Sequence, residues 1–105
     1  MKFEFSPHIA IQVRDYDKAI PFYRDVLGME VVESGKDETQ LKCGPVNFHV
    51  ENSDGGATFF EFRVESVSEA TKILEQNGCL MTHEYSAKSR MFADPFGLRF
   101  HIWED

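Results

Sequence analysis

One order of secondary structure is written twice along this chain, and that duplication limits the fold more than any other feature. In "SPHIAIQV", Ile9, Ile11 and Val13 alternate with His8, Ala10 and Gln12, the pattern of a half-buried strand. The spacing then predicts a helix capped by Asp15 or Asp17, with an apolar stripe of Ala19, Ile20, Phe22, Tyr23, Val26 and Leu27 and a stop at Gly28. Pro21 lies near enough to the helix start to cost at most about one hydrogen bond. Short strands are expected at 29–34, 38–43 and 46–51, separated by the turn-like "SGKD" and "CGP". After "NSDGGA" the order restarts. "TFFEFRV" sets Phe60, Phe62 and Val64 against Phe59, Glu61 and Arg63, and Ser66 with Glu69 forms a capping box. The helix stripe of Val67, Ala70, Ile73 and Leu74 stops at Gly78, and strands are expected at 80–85, 89–93 and 98–104, the last launched by the turn Asp94-Pro95-Phe96-Gly97.

The two copies align closely. Val13, Asp15, Ala19, Phe22 and Tyr23 correspond to Val64, Ser66, Ala70, Ile73 and Leu74 at an offset of 51, whereas Gly28 and Gly78 stand 50 apart. The reading is therefore a single α+β domain over 1–105: one βαβββ unit over about 1–52, a linker at 53–57 and a second unit over 58–105. Neither unit can bury both faces of its strands alone, so the two are expected to pair and curl around a shared cleft.

Composition narrows the function. With 105 residues, 42% hydrophobic and 10 of them Phe, the chain can bury a real core, and its net charge of -7 disfavours nucleic acid and anionic membrane surfaces as partners. A neutral or cationic small molecule is the easier ligand. No stretch reaches the roughly 20 apolar residues of a membrane span, and "MKFEFSPH" lacks the apolar run of a secretion signal, so a cytoplasmic location is expected. Cys43 and Cys79 are expected to be reduced thiols.

Alternation assigns the side chains that would line the hollow: His8 and Gln12 from the first strand; Asn47, His49 and Glu51 from the fourth; Phe59, Glu61 and Arg63 from the fifth; Arg99, His101 and Trp103 from the eighth. Under the repeat His8 matches Phe59, and His49 matches His101 if one residue is inserted before the last strand. His83 reads as a surface residue, and Tyr16 and Tyr23 read as helix packing.

The paired units, "FYRDVLGMEV" after the first strand and "FADPFGLRFHIWE" at the end resemble the vicinal oxygen chelate superfamily, which contains glyoxalase I, extradiol dioxygenases and bleomycin-resistance proteins. The resemblance spans essentially the whole chain and implies a curved eight-stranded mixed sheet around a cleft. It also implies metal ligands on the first, fourth, fifth and eighth strands. His8 matches the first of these and His49 lies at or next to the second. Phe59 occupies the third, where a phenyl ring cannot bind metal, and His101 stands where a glutamate is expected.

Two readings follow. In one, His8, His49 and His101 hold a divalent ion (Zn, Ni, Co, Fe or Mn), with Glu61 or Glu51 as general base and Phe59, Arg63, Arg99, Trp103, Asn47 and Gln12 binding substrate. The protein would then be a metal-dependent lyase, isomerase or dioxygenase, and Glu61 could replace Phe59 as a ligand. In the other there is no metal, and the chain resembles the bleomycin-resistance proteins in sequestering a cationic or planar compound between aromatic side chains. In either case a homodimer is expected, because a minimal chain leaves strand edges to cover. Arg99 paired with Glu104 or Asp105, and Glu61 with Arg63, are the structural alternatives to binding roles.

Overall fold

Each unit is built around a parallel pair formed by its first and last strands. The computed structural model describes all 105 residues, which divide into two compact units, Pro7–Thr58 and Phe59–Asp105 with Met1–Ser6. In the N-terminal unit β2 (His8–Val13) runs into α1 (Tyr16–Pro21), and then β3 (Glu30–Ser34), β4 (Glu38–Cys43) and β5 (Val46–Asn52) follow. The sheet order is β3-β4-β5-β2, with β5 parallel to β2 and antiparallel to β4. Leu41, Val50 and Tyr16 form the core, joined by Val13, Ile20, Tyr23, Met29 and Val31. The Tyr16 hydroxyl donates to the Gly35 carbonyl at 2.8 Å and bonds Thr39 Oγ1, so the one polar atom of that ring is satisfied inside the core.

The helix departs from the expected one. Asp15 occupies the cap position, but its carboxylate makes no cap bond and faces Lys18 instead, 3.8 Å away. Pro21 ends the α segment, and Phe22–Val26 continue as a π-helical turn closed by the Leu27 N–H on the Phe22 carbonyl. Proline has no N–H to give to the carbonyl four residues back, so the ladder slips to the wider turn. That turn swings the later part of the stripe off the sheet: Ile20 and Tyr23 pack on the core, whereas Phe22, Val26 and Leu27 are exposed.

In the C-terminal unit β6 (Thr58–Arg63), α2 (Val67–Gln76), β7 (Leu80–Ser86), β8 (Ser89–Ala93) and β9 (Arg99–Trp103) give the order β6-β9-β8-β7, and β6 is parallel to β9. A short β1 (Glu4–Phe5), which the sequence reading did not separate, pairs with β6. Phe92, Phe100, Ile102, Val64, Val67 and Ala70 are buried together between sheet and helix. Ser66 Oγ accepts from the Glu69 N–H as the capping box requires, and Glu104 Oε1 takes the Val67 N–H at 2.9 Å. Cys43 and Cys79 are free thiols. Burial raises the Cys79 thiol pKa.

The turn into β9 is held by one carboxylate. Asp94 Oδ1 accepts from the N–H groups of Phe96 and Leu98, both at 2.8 Å, and Gly97 supplies the φ of +110° that the loop needs. Asp94→Ala leaves two backbone donors without that acceptor and is expected to cost about 1–2 kcal/mol in urea unfolding. Asp94→Asn, which keeps an oxygen there, is expected to lose less than half as much.

Candidate functional site

The parallel register decides which polar side chains meet. In the N-terminal unit His8 lies opposite Asn47 and Ala10 opposite His49, while β4 sets Gln40 opposite His49 and Glu38 opposite Glu51. His8 Nδ1 and His49 Nε2 are 2.9 Å apart, so one imidazole donates its proton to the other's lone pair. The other nitrogen of His49 faces Glu38 Oε2 at 3.8 Å. Gln12 Oε1 accepts from the Ala57 N–H, and Asn47 Oδ1 accepts from Gln40 Nε2, so both amides are held by neighbours.

In the C-terminal unit Glu61 and His101 are direct register partners. Glu61 Oε1 stands 3.3 Å from His101 Nδ1, and Ser89 Oγ 2.6 Å from His101 Nε2. The Tyr85 ring meets His101 edge-on at 6.0 Å between centroids, and His83 packs on Tyr85 at 4.2 Å. His49 and His101 are equivalent by register: their partners Ala10 and Glu61 are 51 apart, the offset of the repeat. The strand pairs differ by the one inserted residue, His49 following Ala10 by 39 positions and His101 following Glu61 by 40.

Of the other residues singled out, Phe59 is half-buried and Arg99 exposed. Arg63 is engaged by Asp105 and by Glu4 at 3.8 Å and lies 5.8 Å over the Trp103 ring, whose Nε1 donates to Ser6 Oγ. Asp105 thus pairs with Arg63 rather than Arg99, and Glu104 is spent on the start of α2. His8 and His49 are brought together, whereas His101 keeps company with Glu61 and Ser89; no group of three or more His, Cys, Asp or Glu side chains is arranged around a metal position. The sequence reading missed Glu38, Ser89 and Tyr85. Alternation along β4 and β8 puts Glu38 with Gln40 and Ser89 with Met91 on one face, which was the available signal.

Comparison with known proteins places these units. A family model described as Glyoxalase/Bleomycin resistance protein/Dioxygenase superfamily matches residues 6–102. No curated protein matches the chain. Among solved structures, a glyoxalase/bleomycin resistance protein/dioxygenase superfamily member from Vibrio splendidus 12B01 superposes with a TM-score of 0.69 at 18% identity, covering 99% of this chain and 100% of that one. Homoprotocatechuate 2,3-dioxygenase from Arthrobacter globiformis gives 0.72 at 23% identity, over 99% of this chain and 37% of that one. The corresponding enzyme from Brevibacterium fuscum, in complex with 3,4-dihydroxyphenylacetate, gives 0.72 at 19%, over 99% and 37%. No helix is long and apolar enough to cross a membrane.

One carboxyl on the N-terminal face is held away from its ordinary titration. Burial, and then the nearby Glu38 carboxylate, raise the Glu51 pKa, with the Gln12 amide and the His49 ring offsetting part of the rise. The folded chain therefore binds this proton more tightly than the unfolded one. The associated stability is present below the unfolded pKa and lost as pH rises through the raised value, so ionised Glu51 works against the fold at neutral pH. Glu51→Gln is expected to raise the melting temperature at pH 7 by about 1–3 °C, the scale of a solvent-screened charge in a domain this size, and to leave it unchanged at pH 3.

Proposed function

We propose, on the premise that the chain belongs to the glyoxalase/bleomycin resistance protein/dioxygenase superfamily, that it binds a small molecule bearing adjacent oxygens and acts on it with a divalent ion held by His8 and His49. The observation that carries this reading is the 2.9 Å separation of His8 Nδ1 and His49 Nε2. Two imidazole nitrogens sharing one ion at about 2.0–2.1 Å stand about 2.9–3.4 Å apart. An ion bound by the pair would take the place of the shared proton, with both lone pairs turned toward it.

When bound, the ion supplies a Lewis acid for lyase, isomerase or dioxygenase chemistry on adjacent oxygens. The chain's own residues do the rest. Glu38 faces the far nitrogen of His49 and favours the tautomer whose Nε2 carries a lone pair. Glu51, with its raised pKa and its hydrogen bond to Gln12, is the group suited to take and return a proton on this face. The homodimer and the cytoplasmic setting belong to the same proposal, with the exposed Phe22, Val26 and Leu27 offering apolar surface for a second copy to cover.

Metal analysis of protein purified without an affinity tag tests the reading. About one divalent ion per chain is expected, with His8→Ala and His49→Ala each weakening binding by at least about tenfold while the circular dichroism spectrum stays unchanged. A wild-type protein that takes up none of Zn, Ni, Co, Fe or Mn, yet binds a planar cationic aromatic compound, would establish sequestration in its place.

A further inference from the structure

Arg99, Ala93 and Leu80 are register partners across β9, β8 and β7, and Phe59 stands beside Arg99 on β6, one residue before the registered pair Phe60 and Phe100. Phe92 and Phe100, next in the chain to Ala93 and Arg99, are buried against α2, so the row lies on the sheet face turned away from the helix. It sets one cation among apolar side chains. The equivalent row of the N-terminal unit, His8, Asn47, Lys42 and Glu30, is polar throughout. Arg99 is also the arginine that the fold leaves unpaired. Arg14 bonds the Asp54 carbonyl, Arg24 pairs with Asp25, Arg63 with Asp105 and Glu4, and Arg90 with Thr71 and Glu84, whereas the exposed Arg99 guanidinium has no hydrogen bond or ion pair. Acids are not scarce in a chain with 18 Asp and Glu against 11 Lys and Arg. Those closest along the row are committed elsewhere: Asp94 Oδ1 holds the turn into β9, and Glu61 bonds His101.

We propose that this row binds an amphipathic carboxylate, an anion carrying an aryl or alkyl body. Arg99 takes the carboxylate through its planar fork of N–H donors, and the body lies across Ala93 onto Leu80. Neighbouring strands stand about 4.8 Å apart, so the two steps from Arg99 to Leu80 span about 10 Å, the length of a short arylalkyl chain. Ala93 projects only a methyl group between them and leaves room for that chain. Met91, the next residue of β8 on this face, flanks it with a polarizable side chain, and Phe59 bounds the site on the other side of Arg99. Leu80 is 68% exposed, so a ligand resting on it removes apolar surface from water. The net charge of -7 opposes an anion at long range, but salt screens that field beyond about 8 Å, whereas the contact with Arg99 is direct. The site lies within the C-terminal unit and uses no ion.

Titration of chelator-stripped protein with 4-phenylbutyrate, followed by amide NMR, tests this. Saturable shifts are expected at Leu80, Ala93 and Arg99, with a Kd of about 0.1–1 mM for a ligand this small. The alcohol 4-phenylbutanol, which keeps the body without the charge, and butyrate, which keeps the charge with little body, are each expected to bind at least about tenfold more weakly. Arg99→Gln is expected to weaken 4-phenylbutyrate by at least about tenfold and to leave 4-phenylbutanol unchanged, whereas Leu80→Ala weakens both. Both side chains are exposed, so both variants are expected to keep the wild-type melting temperature. No saturation by about 10 mM, an alcohol that binds as well as the acid, or unchanged affinity for the acid in either variant overturns the proposal. Because the protein is metal-free throughout, the outcome is independent of whether His8 and His49 hold an ion.

Discussion

The parallel pairing of the first and last strand within each unit is the constraint on which the rest depends. Parallel strands need a long crossover, and here the crossover is a helix followed by two antiparallel strands. Because side chains alternate across a strand, the register of that pair decides which residues share a face. A slip of one position would turn His49 and His101 toward the helices and bring Val50 and Ile102, both fully buried, out of the core. The apolar face thus enforces the register, and the register places the imidazoles. Core packing and site geometry are one commitment.

Much of this was legible because it follows from periodicity. Seven of the strands seen in the repeated units begin and end within one residue of where alternation and turn residues put them, and the helical segment of each unit is followed by a glycine of positive φ, Gly28 at +74° and Gly78 at +90°. The change of offset from 51 to 50 also carried information. Between Tyr23 and Gly28 the first unit has one residue more than the second has between Leu74 and Gly78, and that residue is taken up in the π-helical turn. The sequence shows the insertion; the wider helical turn that absorbs it, and the exposure of Val26 and Leu27 that results, depend on the hydrogen bond that Pro21 cannot make.

The contacts around the histidines were less legible. Alternation selects a face but not a neighbour, and neighbours depend on loop lengths that set the register. Glu38 and Ser89 lie on the expected faces, yet which of several polar residues would reach an imidazole is decided by side-chain length across particular strand pairs. Arg63 shows the converse. It was singled out for a ligand, and the structure spends it on Asp105, Glu4 and the Trp103 ring at the surface.

The repeat also explains how one framework supports two different histidines. His49 and His101 hold equivalent places, but their surroundings differ by single substitutions. Where the first unit has Ala10 beside its histidine, the second has Glu61; where the first brings a second imidazole from His8, the second has Phe59 at the matching position. An imidazole bonded to another imidazole shares one proton between two bases, so either nitrogen can give up its claim on that proton to a cation. An imidazole held between a carboxyl and a hydroxyl has both nitrogens engaged, the hydroxyl turning to donate or accept as the ring requires. The first arrangement is suited to capture, the second to holding the ring in place. Duplication supplied two copies of the same strand pair, and the chemistry of each copy turns on what stands one strand away from its histidine.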